Sequence, residues 1–268
     1  MSDPGQGVTS DIGSSPRPHE LEAIAVEAAT QGARVVREAA RELGTIRTKS
    51  TPTDPVTSLD IATEKAIRKV LVQHTPDASV LGEEADEVQG TSGIGWVIDP
   101  IDGTVNLTYD LPVMSVSIAA TIAGETVAGA VVDVLRGDVF SASTGAGARL
   151  DGVDIAPSSA DRLSASLIGT GFSYTPEGRA REAEYLVRVL PAGRDIRCFG
   201  SAALNLCWVG CGRLDGFYQR DMQYWDFAAG EIIAIEAGAS ILRPTAENGQ
   251  LMVASAPAIH AELRRLVA

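Results

Sequence analysis

The sequence is poor in the residues that build disulfide frameworks, zinc sites or histidine-based catalysis. Among 268 residues there are three cysteines (Cys198, Cys207, Cys211) and three histidines (His19, His74, His260). An odd number of cysteines within one apolar region reads as reduced core thiols and not as a disulfide scaffold. No histidine lies near them in sequence, which argues against a zinc cluster. Long apolar runs are also absent. No stretch approaches the roughly 18 residues of a membrane span, and the first residues lack a basic-then-apolar signal pattern. Positive charge is scarce: 22 Lys and Arg against 35 Asp and Glu leave a formal net charge of −13. That balance argues against a nucleic-acid or membrane partner, since both require basic surface. The expectation is a soluble, cytoplasmic protein. An anionic substrate is still admissible, because bound cations invert the local field at a site.

What is present is material for a sizeable core. A hydrophobic content of 45% over this length supports one large domain or two intimate lobes. Residues 1–18, rich in Gly, Ser, Pro and Asp, read as a disordered tail. The folded unit is expected over 19–268, with lobes of about 19–160 and 161–268. Leu21, Ile24, Ala25, Ala28, Val35 and Val36 recur at helical spacing, and that helix is expected to stop near Gly44. Thr57 as an N-cap, with Asp60 in the first turn, marks a second helix. Between Met114 and Val139 runs of Val, Ile, Ser and Thr are broken by turn residues, the texture of an antiparallel meander. Further strands are expected over 166–170, 216–218 and 239–242, and helices over 176–189, 202–209, 225–237 and 259–266. Strand groups interleaved with helices indicate an α+β or layered α/β fold. There is no internal repeat.

The segment Trp96-Val97-Ile98-Asp99-Pro100-Ile101-Asp102-Gly103-Thr104 carries the chemistry. A buried strand is expected to end at Ile98, with Pro100 preventing its continuation. Asp99 and Asp102 then project from the strand end, where two carboxylates so close repel each other unless a cation neutralises them. Oxygen donors suit a hard divalent ion such as Mg²⁺. Asp-Pro and Asp-Gly are also ordinary turn formers. Val80-Leu81-Gly82-Glu83-Glu84 is a second apolar run ending in acids, and Trp225-Asp226-Phe227-Ala228-Ala229-Gly230 places an acid ahead of a helical pattern. Singly, the former reads equally as a solvated turn and Asp226 as a helix N-cap. No EF-hand pattern occurs.

Taken together with Asp54-Pro55-Val56-Thr57-Ser58-Leu59-Asp60, these motifs resemble the inositol monophosphatase family of Mg²⁺-dependent phosphatases in order, spacing and context. The resemblance covers the chain beyond its tail. It implies a layered αβαβα sandwich, commonly homodimeric, lithium-sensitive and loaded with two or three Mg²⁺ ions. Glu83, Asp99, Asp102 and the carbonyl of Ile101 match the metal ligands, and Asp226 the acid that completes a second metal position. Thr104 and Asp54 match a hydrogen-bonded pair that helps activate the attacking water, with Glu83 beside them. Glu84 is placed behind these ligands. Gly103 and Thr104 are expected to meet the phosphate, and Gly200-Ser201-Ala202 resembles a substrate-contacting Gly-Thr-Ala segment. That stretch reads equally as a helix N-cap at Ser201. Gln219 stands where animal inositol phosphatases carry a glutamate that contacts ring hydroxyls. Lys49 precedes Asp54 as a lysine does in many members, and reads equally as a surface cation. The implied reaction is hydrolysis of a small phosphate monoester by metal-activated water, with myo-inositol 1-phosphate as the first candidate. Histidinol phosphate, fructose 1,6-bisphosphate and adenosine 3′,5′-bisphosphate are the alternatives, and a regulatory protein-binding role on the same fold is the non-enzymatic one.

Overall fold

The computed structural model describes residues 16–43 and 58–268. Most of the tail, the helix stop at Gly44, Lys49, Asp54 and Thr57 lie outside the described residues.

Leu21, Ala25, Ala28, Ala29, Ala33 and Val36 are fully buried along one stripe of α1 (Pro18–Leu43), because steps of three and four residues return to the same face of a helix. Helix α2 (Ser58–His74) adds Leu59, Ile67, Val70 and Leu71 to the same core. The chain then forms β1 (Ser79–Gly82), β2 (Ile94–Asp102), α3 (Thr104–Thr108), β3 (Ser115–Ile122), β4 (Glu125–Asp133), β5 (Val139–Ser143), β6 (Ala148–Leu150) and β7 (Val153–Asp154). These strands make one sheet in chain order, with β1 parallel to β2 and the remaining pairs antiparallel. The second half supplies β8 (Leu167–Thr170), α4 (Pro176–Val189), β9 (Asp195–Cys198), α5 (Ala202–Gly210), β10 (Gly216–Arg220), α6 (Tyr224–Ala237), β11 (Ser240–Leu242), β12 (Leu251–Ser255) and α7 (His260–Val267). Its sheet runs β11-β12-β10-β8-β9, with β8 parallel to both neighbours and β12 antiparallel to both of its own.

The two-residue period of the strands sorts these elements into layers. Ile98, Ile118 and Ala120 face α1 and α2, whereas Val97, Ala119 and Val131 face α5 and α6. In the second sheet Phe217, Met252 and Ala254 pack on that same helix pair from the other side. Ile168, Tyr218 and Val253 point away from it, toward Tyr185 and Val189 of α4 and Leu263 and Val267 of α7. The result is the expected five-layer αβαβα sandwich. Helix α5 is buried along its whole length, as a helix between two sheets must be, and its sequence is correspondingly apolar on every side.

Three local expectations need correction. Strand β2 does not stop before Pro100 but runs through it to Asp102. Its pairing with β1 ends at Ile98, and its register with β3 shifts between Asp99 and Asp102, so the missing N–H of Pro100 costs no ladder bond. Cys198 is exposed and not in the core, because β9 is the edge strand of its sheet; Cys207 is buried as expected. Strands β6, β7, β9 and β12 were not signalled. Each of β6, β7 and β9 is too short to show a period, and β12 is buried throughout and shows no alternation.

Candidate active site

The site grows from the irregular end of β2. The register shift turns Asp99 and Asp102 toward the interior, where both carboxylates are buried. Asp99 Oδ1 accepts the backbone N–H of Ile101 at 3.0 Å, closing a tight local turn. Asp102 is held from the other half of the chain. Its Oδ2 accepts Ser201 Oγ at 2.6 Å and Ala203 N at 2.8 Å, and its Oδ1 accepts Ala202 N at 3.2 Å. The carboxylate therefore sits on the free N–H groups that open α5, where an anion is favoured. Ser201 also caps that helix, accepting Leu204 N. The two readings of Gly200-Ser201-Ala202 thus meet: the segment caps α5, and its donors are turned onto Asp102.

Gly103 follows with φ +105°, a backbone conformation that side chains rarely adopt, and a Cβ there would crowd the carbonyl of Val113. The left-handed turn starts α3 immediately after the strand. Thr104 Oγ1 donates to the Ile101 carbonyl at 2.9 Å. The expected partner Asp54 lies outside the described residues; the carbonyl that accepts the Thr104 hydroxyl is the one the resemblance implies for metal binding. Asn106, which the motifs did not single out, donates from Nδ2 to Val113 O at 2.7 Å and to Phe199 O at 2.6 Å. It clamps the segment before Ser201 against the β2–α3 turn.

Glu83 arrives from the loop after β1. The turn is fixed by Glu64 of α2, whose Oε2 accepts Glu84 N at 2.9 Å while its Oε1 accepts Arg68 Nε at 2.7 Å. Sequence reading missed Glu64 because its partner is 20 residues away. Asp60, read as an ordinary first-turn acid, is buried in α2 and acts on Glu83 through space. Asp226 is not the N-cap of α6 but lies inside its first turn, where Oδ2 accepts the N–H of the capping residue Gln223 at 2.7 Å. Gln219 is half-buried on β10, with its amide against Gly171.

Four carboxylates from three distant segments are thereby brought into one electrostatic neighbourhood. Burial, then Asp226 and Glu84, push Glu83 up to about 8. Burial and the Asp102 charge push Asp226 up to about 7. Asp99 is driven well above the carboxylate range by burial and then by Asp102, Glu83 and Asp226. Asp102 rises to about 6 through burial, despite the hydrogen bonds that favour its charge. Protons or cations must relieve such a cluster at neutral pH. Its donors are all hard oxygens, the set that Mg²⁺ takes. Among the described residues no three acid, imidazole or thiol side chains form a ready-made cage. The donor chemistry and the unrelieved repulsion fit a divalent ion.

A sequence profile described as the Inositol monophosphatase family matches residues 17–267. An inositol-1-monophosphatase of Mycobacterium leprae is 45% identical over 266 residues, spanning 90% of this chain and 91% of that protein. A Nus factor SuhB of Pasteurella multocida is 35% identical over 249 residues, spanning 90% of this chain and 92% of its own. The solved structure of Mycobacterium tuberculosis SuhB superposes with a TM-score of 0.82 at 43% identity, covering 94% of this chain and 97% of that one.

Proposed function

The chain belongs to the inositol monophosphatase family, and on that premise we propose that it is a Mg²⁺-dependent phosphomonoesterase whose preferred ester is myo-inositol 1-phosphate. The enzyme class, a phosphoric monoester hydrolase, follows from the family. The observation that carries the metal dependence is the convergence of Glu83, Asp99, Asp102 and Asp226, buried together and each raised by burial or by the others' charge. The polyol preference is supported by the relative named an inositol-1-monophosphatase.

In this reading Glu83, Asp99, Asp102, Asp226 and the Ile101 carbonyl would hold two or three Mg²⁺ ions, which would supply charge neutralisation and a more acidic bound water. The chain's own contribution is positioning, as phosphoryl transfer mostly requires. Ser201, Ala202 and Ala203 fix the Asp102 carboxylate before anything binds. Thr104 and Asp54 orient the attacking water. Thr104 does so by turning its hydroxyl proton from the Ile101 carbonyl to Asp54, leaving its oxygen to accept a hydrogen bond from that water. Gly103 lets the backbone approach the phosphate closely. Gln219 meets a hydroxyl of the alcohol, as acceptor or donor, where a glutamate is confined to accepting. Lithium inhibition, a homodimeric state and a cytoplasmic location complete the proposal.

The test is phosphate release from purified protein with Mg²⁺, with and without EDTA, on myo-inositol 1-phosphate, histidinol phosphate, fructose 1,6-bisphosphate and adenosine 3′,5′-bisphosphate. Mg²⁺-dependent preference for the inositol ester is expected. Preference for another ester replaces the substrate and keeps the mechanism. No turnover of any ester by folded protein overturns the reading, and favours the protein-partner role that the similarity to a Nus factor SuhB supports.

A further inference from the structure

Between β8 and α4 the chain passes the site in a short segment, 171–175, which no motif marked. Its start is fixed by contact: Gly171 lies so close to the Gln219 amide that a Cβ there would collide with it. Its end is fixed by hydrogen bonds. Ser173 N donates to Glu182 Oε2 at 2.7 Å, and Ser173 O accepts Arg179 Nε at 2.9 Å. Thr175 caps α4, its Oγ1 accepting Gly178 N at 3.1 Å. Glu182 is itself buried, so the anchor is a rigid one.

Tyr174 stands between these pinned neighbours, and its side chain is 76% exposed. A large aromatic held in water on a fixed backbone has no packing role in the described residues. Its hydroxyl lies within electrostatic reach of all four site acids, Asp102 and Asp226 foremost, then Glu83 and Asp99. A tyrosine hydroxyl is protonated at neutral pH and can donate. With the phosphoryl group among the acids, the alcohol half of the ester would reach toward Gln219 and the 171–175 segment that touches it.

We propose that Tyr174 is a specificity-determining residue that meets the alcohol moiety, packing its ring on the C–H face of a polyol and donating its hydroxyl to a polyol oxygen. This rests on the phosphomonoesterase reading. The chemistry is that of tyrosine at a wet interface, with an apolar body and a polar tip. It selects a polyhydroxylated ring over a small alcohol and leaves phosphate recognition untouched.

The experiment compares wild type, Tyr174→Phe and Tyr174→Ala. Steady-state kinetics are measured with myo-inositol 1-phosphate and with methyl phosphate, together with calorimetric binding of myo-inositol 1-phosphate in Mg²⁺. The alanine variant is expected to raise KM and weaken binding for the inositol ester about tenfold, with kcat and methyl phosphate kinetics within about twofold of wild type. The phenylalanine variant is expected to fall between. Equal losses on both esters, or none on either, overturn the proposal. Wild-type binding without turnover overturns the hydrolytic reading alone, and the binding series then decides Tyr174. Wild type that neither binds nor turns over the inositol ester overturns both.

Discussion

Ser201 Oγ donates to Asp102 Oδ2 at 2.6 Å across 99 residues of sequence, joining the end of a first-sheet strand to the start of a central helix. The same oxygen accepts Leu204 N, so one hydroxyl both caps α5 and fixes a site carboxylate. Ser201→Ala removes both roles. Loss of the cap and of a charge-assisted hydrogen bond is expected to destabilise the fold by about 2–3 kcal/mol. Releasing Asp102 is expected to weaken apparent Mg²⁺ affinity roughly 10–100-fold. Denaturant unfolding and Mg²⁺ titration of activity read the two effects separately. Lower stability with unchanged Mg²⁺ response reduces Ser201 to a helix cap.

Asn106 makes a second bridge of this kind, to Phe199 and Val113 from one buried amide. Asn106→Ala loses two donors' worth of hydrogen bonding, about 2 kcal/mol. Asn106→Asp is expected to cost more, since it cannot donate when ionised and buries a negative charge against two carbonyl oxygens. Unfolding curves at neutral pH give the order. Aspartate tolerated as well as alanine would show that a buried charge at this position matters little.

These bridges explain what was legible in the sequence and what was not. Asp99 and Asp102 stood out because two acids close an apolar strand within a few residues, although only the flanking motifs separated that pattern from an ordinary turn. The layer order came from the motifs' resemblance to a family of that architecture, and the burial of α5 along its whole length accounts for its apolar sequence. Asp60, Glu64, Asn106 and Tyr174 were not readable, because each has an ordinary local reading. Asp60 suits a helix first turn and Glu64 suits an i,i+4 pair with Arg68. Their roles appear only when α2 is laid beside the β1 loop, and α5 beside the end of β2. Pro100 misled for a related reason. It forbids a ladder bond only where a ladder exists, and β1 has already ended at that point.

Asp99→Asn tests the cluster by subtraction. Its Oδ1 still accepts Ile101 N, so the local turn is preserved, while an acid held well above its ordinary range can no longer ionise. Without Mg²⁺ the variant is expected to be at least as stable as wild type near pH 8, because it relieves repulsion. Turnover is expected to fall by well over about 100-fold, more than the loss of an outer-shell partner costs. Thermal melts in EDTA and rates in Mg²⁺ provide the comparison. Near-wild-type turnover would remove Asp99 from the metal set.

The pH dependence of Mg²⁺ stabilisation follows from the same acids. Glu83 is pushed up to about 8 and Asp226 to about 7 in the folded chain. Unfolded carboxylates titrate near 4, about 4.3 for Glu and 3.9 for Asp. Between those values the folded chain binds more protons than the unfolded one, so stability falls as pH rises. The contribution is fully present below about pH 4 and is lost as pH climbs through 7 to 8. Mg²⁺ takes the place of the departing protons, so the Tm gain it confers is expected to be small near pH 6 and large above pH 8. Melts of one sample in EDTA and in millimolar Mg²⁺ across that range isolate the cluster, because carboxylates outside it cancel in the difference: Asp138, held below its usual range by Arg213 and Arg136 against its burial, and Asp195, held there by Arg197 and the Ile196 N–H. A Mg²⁺-induced shift that is the same at both ends of the range would mean that the cation binds somewhere other than these four acids.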